Sequence, residues 1–180
     1  FTSMIMIKEM NEKDKKRIGK FISLILRHEP DKIGLQLDEN GWADVNKLIS
    51  KCGKHRVSFT MEQLEDIVET NDKKRYSFNE DKTKIRANQG HSVNVNLELQ
   101  VVEPPEYLYH GTADRFISSI MEKGIIKMNR QHVHLSKDKE TAVKVGSRHG
   151  KAGILTVMAG KMHREGSAFF VSDNGVWLTD

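Results

Sequence analysis

The stretch Arg75–Ala87, RYSFNEDKTKIRA, decides the fold. Its two ends, Arg75 to Phe78 and Lys84 to Ala87, carry aromatic and β-branched residues and flank the polar run Asn79-Glu80-Asp81-Lys82, which predicts two strands joined by a turn. Upstream, from Lys15 to His28, Ile18, Phe21, Ile22 and Ile25 recur at helical spacing, Leu24 and Leu26 widen the buried face, and Pro30 stops the run. Gly34 to Leu37 reads as a short extended piece. The turn Glu39-Asn40-Gly41 then precedes a second helix, Ala43 to Ser50, with Val45, Leu48 and Ile49 inward. Thr60 followed by Gln63 is a capping-box pattern that opens a third helix through Leu64, Ile67 and Val68. Helices followed by a hairpin is the order of a winged helix-turn-helix, a fold that often binds nucleic acid; a small structural domain without a ligand fits the same pattern.

Beyond the hairpin, Val93 to Val102 is strand-like and Pro104-Pro105 punctuates the chain, so two lobes are expected, 4–100 and 101–180. The second predicts strands at Tyr107 to Tyr109, His132 to Leu135, Gly153 to Val157 and Val176 to Thr179. Its helices are expected at Asp114 to Lys123, closed by Gly124, and at Lys139 to Val145. The fold class is therefore α+β. Met4 is taken as the true start.

Composition sets the limits. The chain of 180 residues has a formal net charge of +4, and this excess lies entirely beyond residue 106. A modest basic balance favours a polyanionic partner. No run approaches the roughly 20 apolar residues that span a bilayer; the longest, Ile22 to Leu26, is broken by Ser23 and lies inside the chain, so neither a membrane span nor a signal peptide is expected. Cys52 is alone, which excludes an internal disulfide and suits a reducing cytoplasm.

Five polar groupings could carry chemistry. Arg27-His28 ends the first helix, where a cation also does nothing more than complement the helix dipole. Arg86 to Ser92, RANQGHS, concentrates donors suited to phosphate and sugar, or is a polar surface loop. His110-Gly111-Thr112 and His132-Val133-His134-Leu135-Ser136 form twin His-x-hydroxyl patterns, as a metal-free phosphodiesterase would use; His132 and His134 share a strand face, but a third metal ligand at telling spacing is missing and no metal is expected. Val145-Gly146-Ser147-Arg148-His149-Gly150 reads as an anion loop or a helix-ending turn. Asn174-Gly175 leads into a buried strand with Trp177 in the core. Carboxylates are absent from four of these stretches, which argues against carboxylate-pair hydrolysis and for handling phosphate.

Taken together the motifs resemble the RNA 2′-phosphotransferases, the family that includes the tRNA-splicing enzyme and its bacterial relatives. The likeness runs through FISLILRHEP, Gly41-Trp42, KIRANQGHS, LYHGT, HVHLS, VGSRHG and NGVWLT in that order. It implies a winged-helix RNA-binding lobe and an ADP-ribosyltransferase-like lobe that binds NAD. The implied reaction is NAD-dependent transfer of an internal RNA 2′-phosphate to ADP-ribose through an ADP-ribosylated RNA. Its products are 2′-hydroxyl RNA, nicotinamide and ADP-ribose 1″,2″-cyclic phosphate. The resemblance assigns Arg27, Arg86 and Arg148 to the phosphate and His28 to the step that expels the RNA alkoxide. His110, Gly111 and Thr112 would begin the NAD site, with His134 and Ser136 along its ribose. Val176 stands where ADP-ribosyltransferases that activate a hydroxyl carry glutamate, which fits a phosphate nucleophile already ionised at neutral pH. Action in tRNA processing, as a cytoplasmic monomer, is expected. Three other readings compete: a non-enzymatic winged-helix binder, an ADP-ribosyltransferase that stops at the adduct, and the twin-histidine phosphodiesterase.

Overall fold

The computed structural model describes residues 10–180, so Met4 and the start of the expected first lobe lie outside the described residues. The chain divides into two compact units that meet at Ala87–Asn88. Together they form a mixed α+β protein with small antiparallel sheets. Among the described residues no helix is long and apolar enough to cross a membrane.

The first unit is built on α1 (Glu12–Arg27), whose N-cap Asn11 accepts a hydrogen bond from the Asp14 N–H at 2.8 Å. Its Ile18, Ile22, Ile25 and Leu26 are buried against α2 (Val45–Lys54) and α3 (Met61–Thr70) in one apolar cluster. Both arms of the Thr60–Gln63 capping box are present at the start of α3. A 3₁₀ turn, Pro30–Ile33, lies between α1 and the piece expected as extended at Gly34 to Leu37; Gly34 closes that turn at a φ of 67°, and residues 34–37 join no sheet. Three strands, β1 (Ala43–Asp44), β2 (Tyr76–Phe78) and β3 (Lys84–Ala87), pair antiparallel in the order β1-β3-β2. Ile85 and Ala87 turn one face of β3 into the core, and α1 packs on it.

In the second unit, β4 (Leu108–Ala113) pairs with β6 (Ala152–Val157), and β5 (Val133–Leu135) and β7 (Phe169–Val171) flank β8 (Trp177–Thr179). Leu108, Val133, Leu135, Ala159 and Phe169 form its core. The helices are α4 (Ile117–Lys123), entered through a 3₁₀ turn at Asp114–Phe116, α5 (Lys139–Gly146) and α6 (Ala159–Arg164). The sequence pattern predicts neither α6 nor β7.

Residues 93–102, expected as a strand, are irregular apart from one bridge between Val101 and Phe170. The cause is local: Asn96 Oδ1 accepts from the Glu98 N–H at 2.9 Å, and Glu98 sits at a φ of 57°, which breaks the extended alternation. The segment packs within the second unit, where Gln131 Nε2 donates to the Val95 carbonyl at 2.9 Å.

Candidate functional site

In the first unit the end of α1 delivers Arg27 and His28. The His28 N–H still donates to the Leu24 carbonyl at 2.9 Å, and its side chain is exposed while Arg27 is half-buried. Behind Arg27, the Tyr76 hydroxyl donates to the Gly19 carbonyl at 2.6 Å and ties β2 to α1. Burial pushes the Tyr76 phenol pKa up, against the smaller opposing influence of Ser23 and of the Arg27 and Arg75 charges.

Arg86 lies on the face of β3 opposite Ile85, because side chains alternate along a strand. The register that sets Ala43 against Ile85 and Asp44 against Lys84 brings Trp42 next to Arg86. The guanidinium carbon sits 4.5 Å from the centre of the indole ring, a cation–π stack. Asp38 organises the turn that presents Trp42. Its carboxylate accepts from the N–H groups of Asn40 and Trp42, both at 2.9 Å, and its own N–H donates to the Trp42 carbonyl at 2.9 Å. Sequence reasoning noted Gly41-Trp42 but gave it no role; a tryptophan just ahead of a strand that pairs with the Arg86 strand was the available signal.

The second unit brings His110, Gly111, Thr112, His134 and Ser136 together where the two small sheets meet. Tyr109 and Ser136 exchange a reciprocal pair of backbone hydrogen bonds, each 2.8 Å. The His110 Nδ1–H donates to the His134 carbonyl at 3.1 Å, and Arg130 Nη1 donates to His134 Nδ1 at 3.4 Å. Arg130 was missed from sequence, since it stands in the irregular turn before β5 and belongs to no periodic pattern.

Along β4, backbone groups of alternate residues point to the same edge. Gly111 therefore turns its N–H and C=O to the edge that Tyr109 uses for Ser136, and there they meet no hydrogen-bond partner among the described residues. A donor and an acceptor side by side on one residue match a primary carboxamide. On its other side Gly111 abuts α5 so closely that a Cβ would fall 1.8 Å from the Ala142 carbonyl oxygen. Gly146 makes the reciprocal approach, its absent Cβ being 2.6 Å from the Thr112 carbonyl oxygen. This crossing seats the 3₁₀ turn Ser147–His149 against β4, and with it the exposed Arg148. The side chain of His149 lies outside the described residues.

The remaining groupings separate. Asn88, Gln89 and His91 are buried, so Arg86 to Ser92 is not a polar surface loop. His132 precedes β5, and its ring tilts against Phe170 with the centres 5.7 Å apart. It lines a cleft of about 420 Å³ with Val95, Leu97 and Lys127, and burial draws its pKa below the ordinary histidine value. Val176 stands just ahead of β8, its N–H donating to Ser172 Oγ at 3.1 Å. Among the described residues no group of three or more His, Cys, Asp or Glu side chains could hold a metal ion.

The RNA 2′-phosphotransferase, Tpt1 / KptA family matches residues 13–180. A probable RNA 2′-phosphotransferase of Flavobacterium johnsoniae is 63% identical over 171 residues, covering 95% of this chain and 94% of that protein. One from Fusobacterium nucleatum is 58% identical (91% and 92% covered), and one from Nostoc punctiforme 51% (91% of each).

Proposed function

The chain belongs to the RNA 2′-phosphotransferase, Tpt1 / KptA family, and on that premise we propose that it transfers an internal RNA 2′-phosphate to ADP-ribose with NAD as co-substrate. The observation that carries the NAD part is the open edge of Gly111, a paired donor and acceptor beside His110, His134 and Ser136. These residues fit a nicotinamide carboxamide and its ribose, with Gly111 N–H and C=O holding the amide and the two histidines and Ser136 facing the sugar. When bound, NAD supplies an anomeric carbon whose nicotinamide leaves. Val176 is read as standing where ADP-ribosyltransferases that activate a hydroxyl carry glutamate, and the RNA phosphate needs no carboxylate to activate it, its second pKa being near 6.

The chain's own side chains manage charge. Arg27 and Arg86 in the first unit and Arg148 in the second each offer a planar fork that binds two phosphate oxygens at once, a geometry lysine cannot reproduce. Stacking on Trp42 fixes the plane of the Arg86 fork before substrate arrives. His28, exposed at the helix end, is the proton donor to the departing RNA oxygen. The first unit, helices followed by a β1-β3-β2 sheet, is read as the winged-helix RNA-binding part, and the second as the ADP-ribosyltransferase-like part.

The test is incubation of the protein with a short RNA bearing one internal 2′-phosphate, with and without NAD, and separation of the products by mass. NAD-dependent loss of phosphate with release of nicotinamide and ADP-ribose cyclic phosphate is expected. A persisting adduct would indicate a terminal ADP-ribosyltransferase, and RNA binding without reaction a binding module.

A further inference from the structure

Arg130 and the two site histidines form a directional chain of hydrogen bonds whose polarity follows from the atoms involved. A guanidinium has only N–H donors, so the His134 Nδ1 that faces Arg130 Nη1 at 3.4 Å must present its lone pair, and the proton of that ring is on Nε2. A carbonyl only accepts, so the His110 Nδ1 lying 3.1 Å from the His134 carbonyl must carry its proton, and the lone pair of that ring is on Nε2. The two imidazoles are thus held in opposite tautomers. Among the described residues no carboxylate lies within ion-pair distance of Arg130. Its guanidinium faces the His134 ring directly.

We propose that Arg130 is a positioning residue that holds His134 as the neutral Nε2–H tautomer, so that His134 and His110 offer one ring-nitrogen donor and one ring-nitrogen acceptor to a vicinal ribose diol. Each hydroxyl of such a diol both donates and accepts, so the mixed pair satisfies it where two like nitrogens would leave one group unmatched. Partial burial of the guanidinium draws its pKa down, yet arginine keeps its charge and remains a donor throughout the working pH range. The tautomer assignment stands on the protein alone; the diol rests on the reading of the site given above.

Long-range proton–nitrogen correlation spectra of ¹⁵N-labelled protein at about pH 8.5, well above the ordinary histidine pKa, test it directly. The His110 and His134 signals are assigned by substituting each with asparagine. Wild type should show His134 protonated on Nε2 and His110 on Nδ1, whatever the fate of any variant. Arg130→Met should let His134 drift to a mixture of tautomers while His110 stays put, and Arg130→Lys, which keeps a donor and charge, should restore it. Calorimetric titration with ADP-ribose should show about tenfold weaker binding for Arg130→Met, the scale of one lost hydrogen-bond match. A His134 proton on Nδ1 in wild type, or a tautomer indifferent to Arg130→Met, overturns the assignment even if ADP-ribose binds. Correct tautomers with no ADP-ribose binding by wild type overturn the NAD reading instead, and leave Arg130 positioning His134 for no diol.

Discussion

Replacing Gly111 by alanine should unseat α5 and with it Arg148. The added Cβ would stand 1.8 Å from the Ala142 carbonyl oxygen and 2.7 Å from its carbon, short of the 3.4 Å at which ordinary contact begins by about 1.6 Å. The obstructing atoms are backbone in the body of a helix, so no rotamer change relieves them. Overpacking costs about 1–3 kcal/mol, and this geometry belongs at the upper end. For a domain of roughly 60–100 residues each kcal/mol lowers the melting midpoint by about 4–8 °C, so a drop of roughly 12–24 °C is expected if the second unit unfolds on its own. Gly146→Ala, with 2.6 Å to the Thr112 carbonyl oxygen, should cost less. Gly19→Ala meets nothing nearer than 4.0 Å inside α1 and should instead stabilise by about 0.5–1 kcal/mol. Melting followed by circular dichroism ranks the three variants. In the cold, where Gly111→Ala is still folded, displacement of Arg148 by an ångström or more should reduce turnover on the order of a hundredfold. A Gly111→Ala protein that melts within about 3 °C of wild type, under one kcal/mol on the same scale, would refute the close crossing.

Three further outcomes are expected. His28→Ala should slow the second step more than the first and accumulate ADP-ribosylated RNA on a denaturing gel; unreacted substrate alone would remove His28 from the proton-donor role. Trp42→Leu removes the stack under Arg86, worth about 0.5–2 kcal/mol, and should raise KM for the phosphorylated RNA severalfold while leaving ADP-ribose binding as it was; an unchanged KM would show that Arg86 needs no platform. Burial pushes the Cys52 thiol from 9.0 up to about 11. The unfolded chain therefore loses this proton first, and the thiol's contribution to stability, complete below about pH 9, fades as pH rises towards 11. Denaturant titrations of wild type and Cys52→Ala across that range should converge at the alkaline end, and parallel curves would contradict the burial.

Much of this was legible before any coordinates, and the reasons differ by element. The hairpin Arg75–Ala87, the periodic α1 and the Thr60 cap are written in local patterns, and each appears within a few residues of its expected limits. Helix α6 was invisible because it is six residues long and is held by context: Gly160 lets Glu106 approach, and Arg164 grips the Glu106 carboxylate at 2.9 and 3.0 Å. The strand expected at 93–102 failed because its alternation of apolar and polar residues is undone by one Asx turn at Asn96. Motif reading singled out His110, Gly111, Thr112, His134 and Ser136, and the structure brings these residues near one another through the Tyr109–Ser136 bridge. Motif reading could not find Arg130 or the partnership of Trp42 with Arg86, which depend on where irregular turns place long side chains.

The reciprocal bridge between Tyr109 and Ser136 also makes the second unit its own reporter. The amide protons of Tyr109 and Ser136 are locked in that bridge, whereas the Gly111 amide points to the same edge with no protein acceptor among the described residues. Deuterium should therefore enter at Gly111 far faster than at Tyr109, two residues away on one strand, and the gap should close only when a carboxamide caps the glycine. The ratio of these two exchange rates reads occupancy of the Gly111 edge at single-residue resolution.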